Sequence, residues 1–182
     1  EDPIITVPAN IVVCADSPNG SVVTFTAPSV TDNCGVNSLT QTSGFTSGST
    51  FAVGTVTNFY TAVDVNGNVS SNSFTVTVLP APSASFTVND TCFGSDVQFT
   101  NTSTGTGLQY SWDFDDGNTS TDENPTNNYT SSGTYTVTLT VTNSDGCSSS
   151  VTESVTIYPG VAFTTVVNDA SCNGFSDGSI SV

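Results

Sequence analysis

Residues 133–142 read Gly133-Thr134-Tyr135-Thr136-Val137-Thr138-Leu139-Thr140-Val141-Thr142. Tyr135, Val137, Leu139 and Val141 fall on one side of this run, with a threonine between each and the next. A two-residue period sends alternate side chains to opposite faces of a β-strand, so the stretch predicts a strand with one buried face. Ser144-Asp145-Gly146 turns the chain. Val151, Val155 and Ile157 then line a return strand. Upstream, Leu108, Tyr110, Trp112 and Phe114 alternate in the same way, with Gln109, Ser111, Asp113 and Asp115 on the other face.

The first half obeys the same period. Val56–Val63 and Ser73–Val78 form the arms of a hairpin, and Asp64-Val65-Asn66-Gly67-Asn68 between them is rich in residues that tolerate positive φ. Turn signals recur about every ten residues and no helical stripe appears, which predicts an all-β sandwich architecture. The chain's 182 residues suit two small sandwiches and a remainder. Leu79-Pro80-Ala81-Pro82 interrupts the alternation with a stiff, extended joint, and Tyr158-Pro159-Gly160 ends the next unit. The expected domains are therefore 1–79, 80–159 and an incomplete third over 160–182.

Charge excludes more than it suggests. There are 16 acidic residues and no Lys, Arg or His, a net charge of −16. Without cations the chain has nothing to displace counterions from phosphates, so no nucleic acid partner is expected. An anionic membrane surface repels it, and no apolar run is long enough to span a bilayer. Ser-His-Asp, Cys-His and Schiff-base lysine chemistries all lack a necessary residue. We expect no enzyme activity in this stretch. No side-chain salt bridge can form, so self-repulsion remains, and salt or calcium relieves it. Trypsin-like proteases find no site; neutral drift in a wall-like protein explains the same absence. No Met is present, and Glu1 is expected to follow upstream sequence.

Five cysteines stand at positions 14, 34, 92, 147 and 172. With no CxxC pair and no His, zinc is disfavoured. Wide spacing fits disulfides in an oxidising compartment, with free buried thiols as the alternative.

Specific motifs refine this picture. Pro8-Ala9-Asn10-Ile11-Val12-Val13, Thr31-Asp32-Asn33-Cys34, Phe51-Ala52-Val53-Gly54-Thr55, Ala62-Val63-Asp64 with Gly67-Asn68, and Phe74-Thr75-Val76-Thr77-Val78 occur in order. Over residues 1–79 this resembles a hyalin repeat (HYR) domain, which implies an immunoglobulin-like β-sandwich from an extracellular adhesion protein. Some members carry a cysteine before the last strand, where this chain has Ser71-Asn72-Ser73. The resemblance therefore leaves Cys14 to pair with Cys34. Trp112-Asp113-Phe114-Asp115-Asp116-Gly117, Asn124-Pro125, Tyr129 and Gly133–Leu139 make residues 82–159 similar to a PKD domain. That family has Gly where this chain has Asp115, a residue that tolerates unusual backbone angles. Cys92 and Cys147 match a cysteine pair seen in bacterial members. On the chain-entropy model these two bridges contribute about 3 and about 4 kcal/mol.

Ser171-Cys172-Asn173-Gly174-Phe175-Ser176-Asp177-Gly178-Ser179-Ile180-Ser181-Val182 resembles the start of an SprB-type repeat, in which a later cysteine would partner Cys172, leaving it free in this fragment. The three modules in this order resemble giant surface adhesins of gliding Bacteroidetes exported by type IX secretion. By that analogy of architecture, the chain is secreted and outer-membrane associated. Its partners are then neighbouring repeats, the secretion and gliding machinery, and surface polysaccharide. The expected arrangement is tandem immunoglobulin-like sandwiches in an extended string, each on the order of 35 Å long, acting as stalk or adhesive fibre. The alternative is a spacer or carbohydrate-binding accessory module of a secreted polysaccharide-degrading enzyme or protease.

Two oxygen-rich turns are candidate calcium ligands: Asp113, Asp115 and Asp116, and Asp64, Asn66 and Asn68. No cofactor is required by the expected fold. Neither turn has an EF-hand's spacing, and Asp64 and Asp116 also suit capping of their own turns. Asp113 and Asp115 as a glycosidase pair are disfavoured by their two-residue spacing on one strand. Trp112 alternates with Tyr110 and Phe114, which reads as core rather than sugar platform.

Overall fold

The structure is a computed structural model that describes residues 1–160, 166–168 and 179–181. The described residues form strands, turns and loops, with no helix among them. They group into two compact units. One comprises Glu1–Ser85 with Thr102–Tyr110 and Thr140–Val151; the other comprises Phe86–Asn101, Ser111–Leu139 and the described residues from Thr152 onward. Both are built as immunoglobulin-like β-sandwiches.

Eight strands occupy the first 79 residues: β1 (Ile4–Thr6), β2 (Ile11–Cys14), β3 (Ser21–Val23), β4 (Ser29–Thr31), β5 (Val36–Ser43), β6 (Ser49–Phe51), β7 (Gly54–Asp64) and β8 (Val69–Leu79). The long β7–β8 hairpin is the frame. Its register runs from Gly54 opposite Val78 to Val63 opposite Val69. A four-stranded sheet has the order β2-β8-β7-β5, with β2 parallel to β8. The pairs β1-β4 and β3-β6 supply the other layer. Alternation selects the core: Tyr60 and Ala62 on β7 and Phe74, Val76 and Val78 on β8 join Ile5, Val23 and Phe51 from the short pairs. Phe25 meets the Phe74 ring edge-on at 4.9 Å. The wet face carries threonine ladders, with Thr55 and Thr77 hydroxyls 2.9 Å apart.

Segments beyond residue 79 complete this unit through polar contacts. Ser83 and Thr104 exchange backbone hydrogen bonds at 2.9 Å, and the Thr102 amide donates to the Ser85 carbonyl at 2.8 Å. Asn143 Nδ2 donates to the Pro80 carbonyl at 2.9 Å. These ties draw Thr102–Tyr110 and Thr140–Val151 to the unit that holds residues 1–79.

The remaining strands are β9 (Phe86–Thr87), β10 (Thr91–Cys92), β11 (Asp96–Gln98), β12 (Thr100–Asn101), β13 (Gln109–Asp113), β14 (Thr119–Ser120), β15 (Thr126–Asn128), β16 (Gly133–Thr142) and β17 (Ser148–Tyr158). A five-stranded sheet has the order β10-β17-β16-β13-β14, and β9-β12 and β11-β15 pair separately. Trp112 is the centre of the second unit's core. Its ring lies 5.0 Å from Phe86 and 5.6 Å from Phe99, and its Nε1 donates to the Asp122 carbonyl at 2.9 Å. Val137, Leu139, Val155 and Ile157 are buried as their alternation requires, while Tyr135 is only partly covered. Further along, β18 (Val166–Asn168) and β19 (Ser179–Ser181) pair antiparallel.

One glycine is fixed by close approach. Gly20 has φ of 111°, and a Cβ there would stand 1.9 Å from the Phe51 carbonyl oxygen. Gly48 also has positive φ, 86°, but faces open space. Gly20→Ala is expected to cost about 3 kcal/mol or more, since backbone must move, whereas Gly48→Ala costs about 1 kcal/mol. Urea unfolding of the two variants checks the difference.

Candidate functional site: a cystine and two acidic turns

Cys14 is bonded to Cys147, and Cys34 and Cys92 are free and exposed thiols. This corrects the pairing of Cys14 with Cys34 and of Cys92 with Cys147 that the family resemblances implied. Strand register gives the reason. Parallel pairing sets Cys14 opposite Leu79, at the Gly54–Val78 end of the β7–β8 hairpin. Cys34 lies at the other end, where the Val65 amide donates to the Gly35 carbonyl and Val36 pairs with Asp64. Ten paired positions separate those ends, about 30 Å at the usual strand rise, far beyond disulfide reach. The same holds along β17. Cys147 immediately precedes its first residue, whereas Cys92 pairs with its last, Tyr158. Cys172 lies outside the described residues.

Asn143 shapes the turn that presents Cys147. Its Oδ1 accepts the Asp145 amide at 3.1 Å and the Cys147 amide at 2.9 Å, while its Nδ2 holds Pro80. Asn143 was not singled out from the sequence, although Asn143-Ser144-Asp145-Gly146 carries the signature of an Asx turn. The bridge spans a sequence separation of 133, which on the chain-entropy model contributes about 5 kcal/mol.

Asp64 is buried, at 1% exposure, and its carboxylate organises the β7–β8 turn. Oδ1 accepts the Asn66 and Asn68 amides, both at 2.8 Å. Oδ2 accepts Asn68 Nδ2 at 2.7 Å. Burial pushes the Asp64 carboxyl up, but the Asn68 side chain and the turn amides outweigh it and hold its pKa below the ordinary value. Asn66 thus presents its backbone amide to Asp64, and Asn68 both its backbone and its side-chain amide.

The second turn is likewise organised by amides. Asp113 Oδ1 accepts the Asp115 amide at 3.0 Å. Asp115 takes φ of 62°, the one non-glycine positive value among the described residues, and so fills the family's glycine position. Its Oδ2 accepts the Thr136 amide at 2.9 Å. Asp116 accepts the Asn118 amide and the Asn118 and Asn127 side-chain amides, at 2.9, 3.0 and 2.8 Å. Beside it the Tyr129 hydroxyl is buried without a partner at hydrogen-bond geometry. Burial pushes the Tyr129 phenol up to about 12, with the Asn127 side chain opposing and the Asp116 charge reinforcing. Among the described residues, no three Asp, Glu or Cys groups gather as a metal site requires.

Trp112 is 1% exposed, which leaves no stacking platform there. A depression of about 410 Å³ near the cystine is lined by Ala15, Asp16, Val53, Pro80 and Ser148 among others, with no aromatic ring. A second of about 300 Å³ presents Phe25, Leu39, Gln41 and Tyr60.

The PKD domain model matches residues 80–158. The PKD1 domain of the Vibrio cholerae metalloprotease PrtV is 38% identical over 43% of this chain and 98% of that domain, with a TM-score of 0.39. The chain thus contains a PKD domain over residues 80–158. An HYR domain precedes the PKD domain, matched at residues 1–78. The PKD1 domain of Vibrio anguillarum Epp is 32% identical over 44% of this chain and 96% of that domain, at a TM-score of 0.41. A structure described as a promiscuous carbohydrate-binding module of the β-sandwich superfamily is 32% identical over 48% of this chain and 38% of its own length, at a TM-score of 0.43. No curated protein matches the chain. The cystine therefore joins a residue of the HYR match to a residue of the PKD match.

Asp64→Asn tests the turn. A folded pKa held below the unfolded value of about 3.9 gives stability that is present above that pH and lost as pH falls through the folded value. The variant is expected to unfold roughly 5 °C or more below wild type at pH 7, with the gap narrowing below about pH 4 as the wild-type carboxylate protonates. Thermal melts at pH 7 and pH 3 check both. Separately, calcium and magnesium at equal concentration are expected to raise the melting temperature equally, by screening alone. A larger calcium shift would show a selective site.

Proposed function

We propose that the chain is a structural or adhesive segment of a large secreted cell-surface protein, serving as stalk rather than catalyst. The observation that carries this is the succession of an HYR and a PKD domain separated by a single residue and stapled by Cys14–Cys147. HYR and PKD domains are typical of extracellular and cell-surface proteins and are typically non-catalytic. Disulfides persist where the surroundings are oxidising, which fits the same compartment.

The finer reading takes in gliding motility, type IX secretion and outer-membrane attachment. It rests on the SprB-type start at residues 171–182, which lies largely outside the described residues. On this reading the partners are neighbouring repeats of the same chain, the export and gliding machinery, and surface polysaccharide. Charge self-repulsion at −16 favours separation of successive like-charged modules.

A second reading is an accessory module of a secreted enzyme. PrtV, a metalloprotease, contains such a PKD domain. A glycan-binding version of this reading would use the depression with the half-buried Phe25 beside Gln41, since an aromatic beside an amide suits a sugar's apolar face and hydroxyls.

Antibody against the purified chain is expected to label intact source cells, and any glycan the chain retains on an array to survive Gln41→Ala. Retention of a polysaccharide that Gln41→Ala abolishes would favour the accessory reading instead. A catalytic domain encoded in the same open reading frame would sink the stalk assignment outright.

A further inference from the structure

We infer that the Cys14–Cys147 disulfide is a force bypass. Tension entering the chain before Cys14 and leaving after Cys147 runs through the sulfur–sulfur bond, so the residues between them are not extended by load.

The argument is one of covalent connectivity. Every strand from β3 to β16 lies inside the loop that the bridge closes. So does the Leu79–Pro82 joint between the HYR and PKD matches. Among the described residues, β1 and β2 on one side and β17, β18 and β19 on the other remain on the load path. Without the bridge, the same pull is carried by hydrogen-bonded ladders and by every turn of both domains. With it, those ladders can break without lengthening the chain by the enclosed segment.

The surroundings shelter one half of the bond, since Cys14 is exposed. Cys147 is 1% exposed, and its amide is held by Asn143. The free thiols among the described residues stand remote from it by register. Cys34 lies at the opposite end of the β7–β8 hairpin from Cys14, and Cys92 at the opposite end of β17 from Cys147. Thiol–disulfide exchange needs the attacking sulfur in contact with the bond.

The inference holds whether the parent protein is an adhesin or an enzyme with accessory modules, because it concerns this chain's own covalent path. The test is single-molecule stretching of the full 182-residue chain from its two ends, without reductant. The fully unfolded chain is expected to be shorter by about 45 nm of contour than the Cys14→Ser/Cys147→Ser variant, from the separation of 133 at roughly 3.4 Å per residue. Should that variant not fold, wild type held extended is exposed to dithiothreitol. Each bridge is reduced to two thiols as dithiothreitol closes to its cyclic disulfide. One step of about 45 nm is expected, and Cys34→Ser/Cys92→Ser is expected to retain it. No step, or separate steps of about 7 and about 19 nm from bridges within each domain, would overturn the inference.

Discussion

The parallel pairing of Ile11–Cys14 with Val76–Leu79 sets where the other features of the first unit fall. A parallel strand beside β8 must run toward the same end as β8. The end of β2 therefore lies where the HYR match stops, not at the β7–β8 turn. That single choice carries Cys14 away from Cys34. It also sets the Ala15 amide on the Leu79 carbonyl at 2.8 Å, so the chain entering and leaving this sheet is held at one place. An antiparallel β2 would have reversed the order and put Cys14 near the acidic turn.

A second constraint is the absence of cations. In a chain without Lys, Arg or His, a carboxylate finds its donors in backbone amides and in asparagine. Asp64 takes Asn66 and Asn68, and Asp116 takes Asn118 and Asn127. Asp96 takes Asn128 at 2.8 Å, and Asp90 takes the Thr156 amide at 2.9 Å. Hydrogen bonds to an ionised acceptor are stronger than neutral ones, so each stiffens its turn. None cancels charge. Local order and overall self-repulsion thus coexist, which suits the stalk role proposed above.

These two constraints meet in the turns. Asparagine and aspartate both order the turns and tolerate the backbone angles that turns demand. Asp115 shows the combination most directly: it adopts φ of 62° and at the same time fixes β16 through Thr136. A glycine there would accept the angle without strain but offer β16 no acceptor.

The sequence by itself determined the strands, the two-layer cores and the turns, because those follow from short-range rules. Alternation named Trp112, Phe114, Val137, Leu139 and Val141 as core. Asp-Asn-Gly clusters named the turns, and motif order named both domains. The buried role of Asp64 was legible too, since an aspartate opening a hairpin turn suits its own downstream amides. What only the tertiary structure decided is which distant residues meet. Cysteine positions in a list do not reveal whether β2 runs parallel or antiparallel to β8, and family likeness implied bridges inside each domain. Nor does composition show that Asn143 reaches Pro80, or that Asp116 and Asn127 close on one another. Partner choice across 133 residues depends on strand direction and register, which local side-chain patterns leave open.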